Sequence, residues 1–312
     1  VNRTIKSLAK RAPVIKPLLS EILKQGPFRA GHYHSPIPEA ADVRRYVESR
    51  NVPGYQIPGI NLDERHHFEM INEYIGFYPD ISFPEQKAPH HRYYYRNVCF
   101  NRSDAIFLYC FLRKHRPGRI VEIGAGFSSA VMLDTIDRCY FQMPEITFIE
   151  PDPARLISLF ENGDRGNTTL IDQRVEDARP EVLLDLDAGD LLFIDSSHVL
   201  KCASDLHYLM FEIMPKLKRG VFVHFHDVFY PFDYPDKWLL DGWYWNEAYM
   251  LRAFLAYNSV WSIEFFSDYA RFMFGDLIRE KMPLCSERGA SLYLVNHPIN
   301  SSTNTPLSPG SA

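Results

Sequence analysis

Residues 121–132 read VEIGAGFSSAVM. An apolar run carrying one acid, Glu122, ends in a bend with glycine at 124 and 126, and small residues follow that suit a helix. Glycine is needed where the chain turns sharply or where its backbone must come close to something else. The stretch therefore predicts a short buried strand, a tight turn beside a ligand, and a helix over about 127–138.

The same alternation continues along the chain. RIVEI (119–123) is the first strand, ITFIE (146–150) the second, TTLID (168–172) the third, DLLFID (190–195) the fourth and GVFVHFHD (220–227) the fifth. Helices are expected from about 153, near 179–185, over 200–216 and near 245–257, followed by strands WSIEFF (261–266) and SLYLV (291–295). Before the first strand, Asn101 or Ser103 can cap a helix that runs to about His115. Short, unbroken apolar strands between helices predict a parallel sheet covered on both faces, a doubly wound α/β fold.

The chain of 312 residues is 46% hydrophobic and 23% charged, with a net charge of −5. That charge excludes the overall basic excess of a nucleic-acid binder. Five cysteines without C-x-x-C spacing suit reduced thiols in the cytoplasm. Four segments are expected. In residues 1–30, seven basic residues face the single acid Glu21, which suits a solvated helix packed on its own domain or on a second subunit, or else a contact with an anionic membrane or partner. Residues 31–100, rich in Pro, His and Tyr, read as a cap on the substrate side with one helix near 63–76. Residues 101–297 hold the α/β domain, and the Ser/Thr/Pro-rich 298–312 reads as a disordered tail.

In an open α/β sheet, ligands bind beyond the carboxyl ends of the strands. Here those ends are polar: the glycine bend, Glu150, Asp172, Asp195 and the pair His226–Asp227. Gly124 and Gly126 let the backbone approach a ligand, and Glu150 can accept both hydroxyls of a ribose. Ser129 stands where a dinucleotide fingerprint wants Gly or Ala. Glu122, Glu176 and Asp177 surround the bend, so a cofactor with a sulfonium and an ammonium suits it better than a polyanion. S-adenosylmethionine has both, with a ribose for Glu150 and an adenine amine for Asp177 or Glu176.

VEIGAGFSSAVM, FIEPDP, VEDA and FIDSSH resemble the successive motifs of class I S-adenosylmethionine-dependent methyltransferases. From GHYHSPIPEA through HFHDVFYPFDYP and WNEAYMLRAFL, over roughly residues 30–295, the chain is similar to the bacterial methyltransferase-24 type. The resemblance implies a Rossmann-like, seven-stranded sheet whose last strand is inserted antiparallel. Many relatives carry a third glycine where Ser128 stands, which suggests that its hydroxyl helps to hold the methionine end.

An acceptor hydroxyl must lose its proton during attack, or have its pKa lowered by a metal. Asp195, His198, His226 and Asp227 follow two neighbouring strands, and metal-dependent O-methyltransferases of this superfamily place carboxylates there. Three readings stand open. A divalent ion is held by Asp195, His226 and Asp227, with His198 as a further ligand; imidazole tilts the choice from Mg²⁺ toward Mn²⁺, Fe²⁺ or Zn²⁺. Alternatively, His198 or His226 is the general base of a metal-free site. In the third, the histidines are structural. Alternation places His224 and His226 on one face of the fifth strand and Asp227 on the other, with His224 a core residue.

The loop 228–249 is expected to overhang the methyl position. Trp243, Tyr244, Trp245 and Asn246, with Tyr93, Tyr94, Tyr95 and Asn97 from the cap, are candidate contacts to a saccharide or other small hydroxylated acceptor. Arg92 and Arg96 are candidates for a phosphate, or else a surface pair. Two other functions compete: a nicotinamide-dependent oxidoreductase, and a catalytically inactive, methyltransferase-like binding module.

Overall fold

The computed structural model describes residues 28–50, 56–285 and 287–296. Most of the expected basic segment 1–30 and the whole tail 298–312 lie outside the described residues. Among the described residues, no helix is long and apolar enough to cross a membrane.

One sheet contains seven strands: β1 (Arg119–Ile123), β2 (Glu145–Ile149), β3 (Thr169–Ile171), β4 (Leu191–Ile194), β5 (Phe222–Phe225), β6 (Trp261–Phe266) and β7 (Leu292–Asn296). Their order is β3-β2-β1-β4-β5-β7-β6. The first five pair in parallel, whereas β7 runs antiparallel to both β5 and β6, as the resemblance implied. β4 and β7 are buried along their whole length, which is why they read as unbroken apolar runs. The order reverses at β1, so β1 and β4 diverge around a switch point where ligands bind.

Asn101 caps the helix Arg102–His115 by accepting the Asp104 N–H, and three basic residues close its last turn. That helix packs on Phe127–Cys139, the helix after the glycine bend. Three expectations need correction. The helix expected over 200–216 starts only at Asp205, because Ser204 caps it by accepting the His207 N–H. It then widens into a π turn at Leu209–Ile213 and ends in a 3-10 turn containing Pro215. Ala40–Ser49 and Ser267–Lys281 are helical, although neither was expected; the second is interrupted by non-helical backbone at Phe274.

The chain forms two compact units. One joins residues 28–50 with 235–244; in it the helix Ala40–Ser49 contacts Asp236–Leu240, and Arg50 pairs with Asp236. The other holds the sheet and includes residues 56–100, expected as a cap. Met70, Ile71, Tyr74, Phe83, Tyr93, Tyr95 and Phe100 share its core with the helix Arg102–His115. Arg92 fastens this segment and is no phosphate ligand. It is 6% exposed and bonds Asp164 through Nε (2.7 Å) and Nη2 (2.6 Å). Its Nη1 donates to Asp134 (3.0 Å) and Asp137 (2.7 Å).

Candidate active site

The glycine bend is stitched between two strands. Gly124 N–H donates to Ile149 O (3.1 Å), and Asp195 N–H donates to Ile123 O (2.9 Å). Gly124 has φ +84°, and a Cβ there would stand 1.7 Å from the Asp195 carbonyl oxygen. Only glycine meets both conditions. Gly126 is held less strictly: its φ is −176°, and a Cβ would stand 3.4 Å from the Arg155 side chain.

Beyond the bend lies a cleft of about 560 Å³, lined among others by Gly124, Glu150, Glu176, Asp195 and the basic pair Arg174 and Lys201. Glu150 Oε1 accepts the Asp152 N–H (2.8 Å), which orients the carboxylate at the tip of β2. Of the two acids expected near the adenine, Glu176 lines this cleft, whereas Asp177 is exposed and is not among its lining residues.

Ser128 and Ser129 do something that sequence patterns did not show. Both hydroxyls hydrogen-bond the fully buried Glu122 carboxyl group, one at each oxygen, which turns them toward the core beneath the bend. Ser129 Oγ also accepts the Gly126 N–H (2.9 Å). Burial pushes the Glu122 carboxyl up to about 8, against the lowering effect of the two hydroxyls. Glu122 thus braces the bend from beneath and is not among the residues that line the cleft.

At the tips of β4 and β5 the expected polar residues do meet. His198 Nε2 is 3.5 Å from Asp195 Oδ1 and 3.5 Å from Asp227 Oδ2. His226 Nδ1 is 3.6 Å from Asp195 Oδ1 and 3.5 Å from Asp227 Oδ1. Asp227 does not point to the opposite face, as alternation predicted. β5 ends at Phe225, and Asp227 at φ +57° swings its carboxylate back beside His226. The ligand atoms of Asp195, His198 and Asp227 all lie within 4.8 Å of one another. His198, expected as a further ligand or as a general base, is the histidine of the gathered trio, and His226 stands beside it. His224 is buried deeper and lies flat on Phe193, with ring centroids 3.8 Å apart.

Two carboxylates that were not expected back the two rings. Glu247 Oε2 lies 2.8 Å from His198 Nδ1. Asp104 Oδ2 lies 3.5 Å from His226 Nε2, and Asp104 Oδ1 accepts the Ala290 N–H and the Ser291 hydroxyl (2.8 Å each). Both acids are buried at the N-terminal ends of helices, where sequence reads them as first-turn acids; only their spatial partners disclose them. Burial works to raise Asp195, but the two histidines hold it well below the usual carboxylate range. Burial works to lower His198, but Asp195, Glu247 and Asp227 raise it to about 10. In the protein alone, the cluster balances acids against imidazolium rings.

The candidate acceptor contacts divide. Trp245 lies against His198, with ring centroids 4.3 Å apart. Tyr94 meets Phe127 edge-on at 5.4 Å and is half-buried. Asn97 and Asn246 are committed to backbone. Asn97 bridges Tyr94, Cys99 and Phe100, and Asn246 clasps Leu200 at both N–H (2.6 Å) and C=O (3.2 Å). Tyr93 and Tyr95 are buried in the core. Trp243 belongs to the other compact unit, where it lies on Trp238.

Residues 121–228 match the family described as "Methyltransferase domain". An uncharacterised protein of Archaeoglobus fulgidus is 37% identical over 160 residues, covering 48% of this chain and 69% of that protein. Among solved structures, the SAH-bound Podospora anserina methyltransferase PaMTH1 is 16% identical, with a TM-score of 0.43, covering 83% of this chain and 95% of that one. The O-methyltransferase TomG from Streptomyces achromogenes, in complex with SAM, is 14% identical, with a TM-score of 0.37, covering 77% and 92%. The family match sets aside the nicotinamide alternative.

Proposed function

The chain belongs to the class I S-adenosylmethionine-dependent methyltransferase family, and on that footing we propose that it methylates a hydroxyl of a small acceptor, a saccharide or another hydroxylated metabolite. The observation that carries this reading is the meeting of His198, His226 and Asp227 around Asp195, which itself lines the cleft with Gly124 and Glu150.

Glu150 takes the two ribose hydroxyls, and the glycine bend lets the cofactor lie against backbone. Trp245 offers a flat face to the acceptor beside His198. In the transfer, the sulfonium S–CH₃ bond breaks with its electron pair left on sulfur, giving S-adenosylhomocysteine. The acceptor oxygen forms the new bond to carbon. His226 Nδ1, which has no hydrogen-bond partner among the described residues, takes the acceptor's proton in the ring's neutral form; Asp195 and Asp227 otherwise hold that ring as imidazolium.

The donor set also fits a divalent ion, with that buried nitrogen facing two carboxylates. Asp195, Asp227 and His198 would hold it, and a bound ion supplies a lowered pKa to the acceptor hydroxyl. The test is release of S-adenosylhomocysteine across a panel of hydroxylated acceptors, with chelator and then Mn²⁺ added. Turnover is expected to fall with chelator and to return with Mn²⁺. A methyl group mapped to nitrogen would contradict the oxygen assignment, and full turnover in excess chelator would contradict the ion.

A further inference from the structure

We propose that Glu247 is a positioning residue, holding His198 with Nδ1 protonated so that Nε2 presents its lone pair between Asp195 and Asp227 as a nitrogen donor for a transition-metal ion. This rests on the methyltransferase reading of the same cleft and adds to it an orienting group and a choice among ions.

Glu247 is 1% exposed and is the first residue of the helix Glu247–Leu255. Its Oε2 lies 2.8 Å from His198 Nδ1, and a carboxylate at that distance fixes the hydrogen on Nδ1. The backbone is clipped at the same place. The His198 carbonyl accepts the N–H groups of Asn246 (3.2 Å) and Glu247 (3.3 Å), while the Asn246 amide clasps Leu200. His198 itself has φ +57°, so this clip holds an uncommon backbone conformation and aims the ring.

The outcome at the far nitrogen is specific. Nε2 stands 3.5 Å from an oxygen of each aspartate, too long for a good N–H···O bond. Atoms each about 2.1 Å from a shared ion at tetrahedral or octahedral angles lie roughly 3.0–3.4 Å apart, close to what is seen. A second, independent sign is His226. It is 4% exposed, and its Nδ1 has no hydrogen-bond partner among the described residues yet faces the same two carboxylates. Imidazole among carboxylates selects Mn²⁺, Co²⁺ or Zn²⁺ over Mg²⁺, which prefers oxygen alone.

The experiment titrates the chelator-treated full chain with Co²⁺, followed by visible absorption and calorimetry, with no cofactor or acceptor present. Wild type is expected to bind one Co²⁺ with nitrogen-ligand bands, and equimolar Mg²⁺ not to compete. Glu247→Ala and His198→Ala are expected to weaken binding about 10–100-fold. Glu247→Gln, which keeps an oxygen to accept the Nδ1 hydrogen, should recover much of the loss. Nitrogen NMR of wild type with Zn²⁺ should show His198 protonated at Nδ1 alone, a readout that needs no variant to fold. Equal Co²⁺ affinity in Glu247→Ala, or a proton found on Nε2, would overturn the positioning role. Wild type that binds no Co²⁺ would overturn the ion site. S-adenosylhomocysteine binding, measured separately, would then show whether the methyltransferase reading still stands.

Discussion

The Asp195 carbonyl oxygen occupies the space where a side chain at Gly124 would begin, 1.7 Å from an ideal Cβ. Two strand tips thus touch backbone to backbone, and the cleft opens at that contact. One consequence is that the proposed cofactor site and sheet stability are linked through a single position.

Gly124→Ala should therefore damage both. The left-handed φ and the collision with Asp195 together should cost roughly 2–5 kcal/mol. Urea denaturation gives the stability loss, and calorimetry should show cofactor binding strongly weakened in whatever protein remains folded. A variant as stable as wild type would mean that the strand tips part easily.

Arg92 neutralises a buried acidic group consisting of Asp134 and Asp164, with the more exposed Asp137 at its edge. Arg92→Met keeps much of the volume and removes the charge. A loss of about 3–5 kcal/mol is expected, because two buried carboxylates lose their partner. Chemical denaturation checks it; a loss below about 1 kcal/mol would show that water reaches the acids.

Glu122 gives a pH prediction. Its folded pKa of about 8 lies above the ordinary carboxyl value, so the folded state binds the extra proton between the two. Stability from this group is present below the unfolded pKa and is lost as pH rises toward 8. Glu122→Gln cannot ionise, so the variant should gain on wild type by roughly 2–4 kcal/mol between pH 4.5 and 8. Parallel stability curves across that range would refute the buried, protonated carboxyl.

Trp245, proposed as an acceptor contact, gives a prediction that distinguishes acceptor from cofactor. Trp245→Ala should raise the acceptor KM about 3–10-fold, the loss of one stacked face. Affinity for S-adenosylhomocysteine should stay as in wild type. An unchanged KM would place the acceptor elsewhere.

The strands were legible because burial on both faces leaves runs such as LLFI at 191–194 without a polar interruption. Strand-end acids were legible for the same reason: Asp195 and Glu150 are where those runs stop. Backbone reversals were not. Alternation assumes that a strand continues, so Asp227 at φ +57° was placed on the wrong face, and Ser204 ended the expected helix early by capping a shorter one. Side-chain commitments were also hidden. The bond between the Ser128 hydroxyl and Glu122 has no sequence signal. Asn246 looked like an acceptor contact until its amide was found on Leu200. Glu247 and Asp104 are ordinary first-turn acids until folding brings them to His198 and His226.

The most direct test is calorimetric titration of S-adenosylmethionine into wild type and Glu150→Ala. Wild type should bind, and the variant should bind about 10–100-fold more weakly, the loss of charged bonds to two ribose hydroxyls, with an unchanged melting temperature. Equal affinity in the two proteins, or no binding to wild type, would contradict a nucleoside held between the glycine bend and the tip of β2.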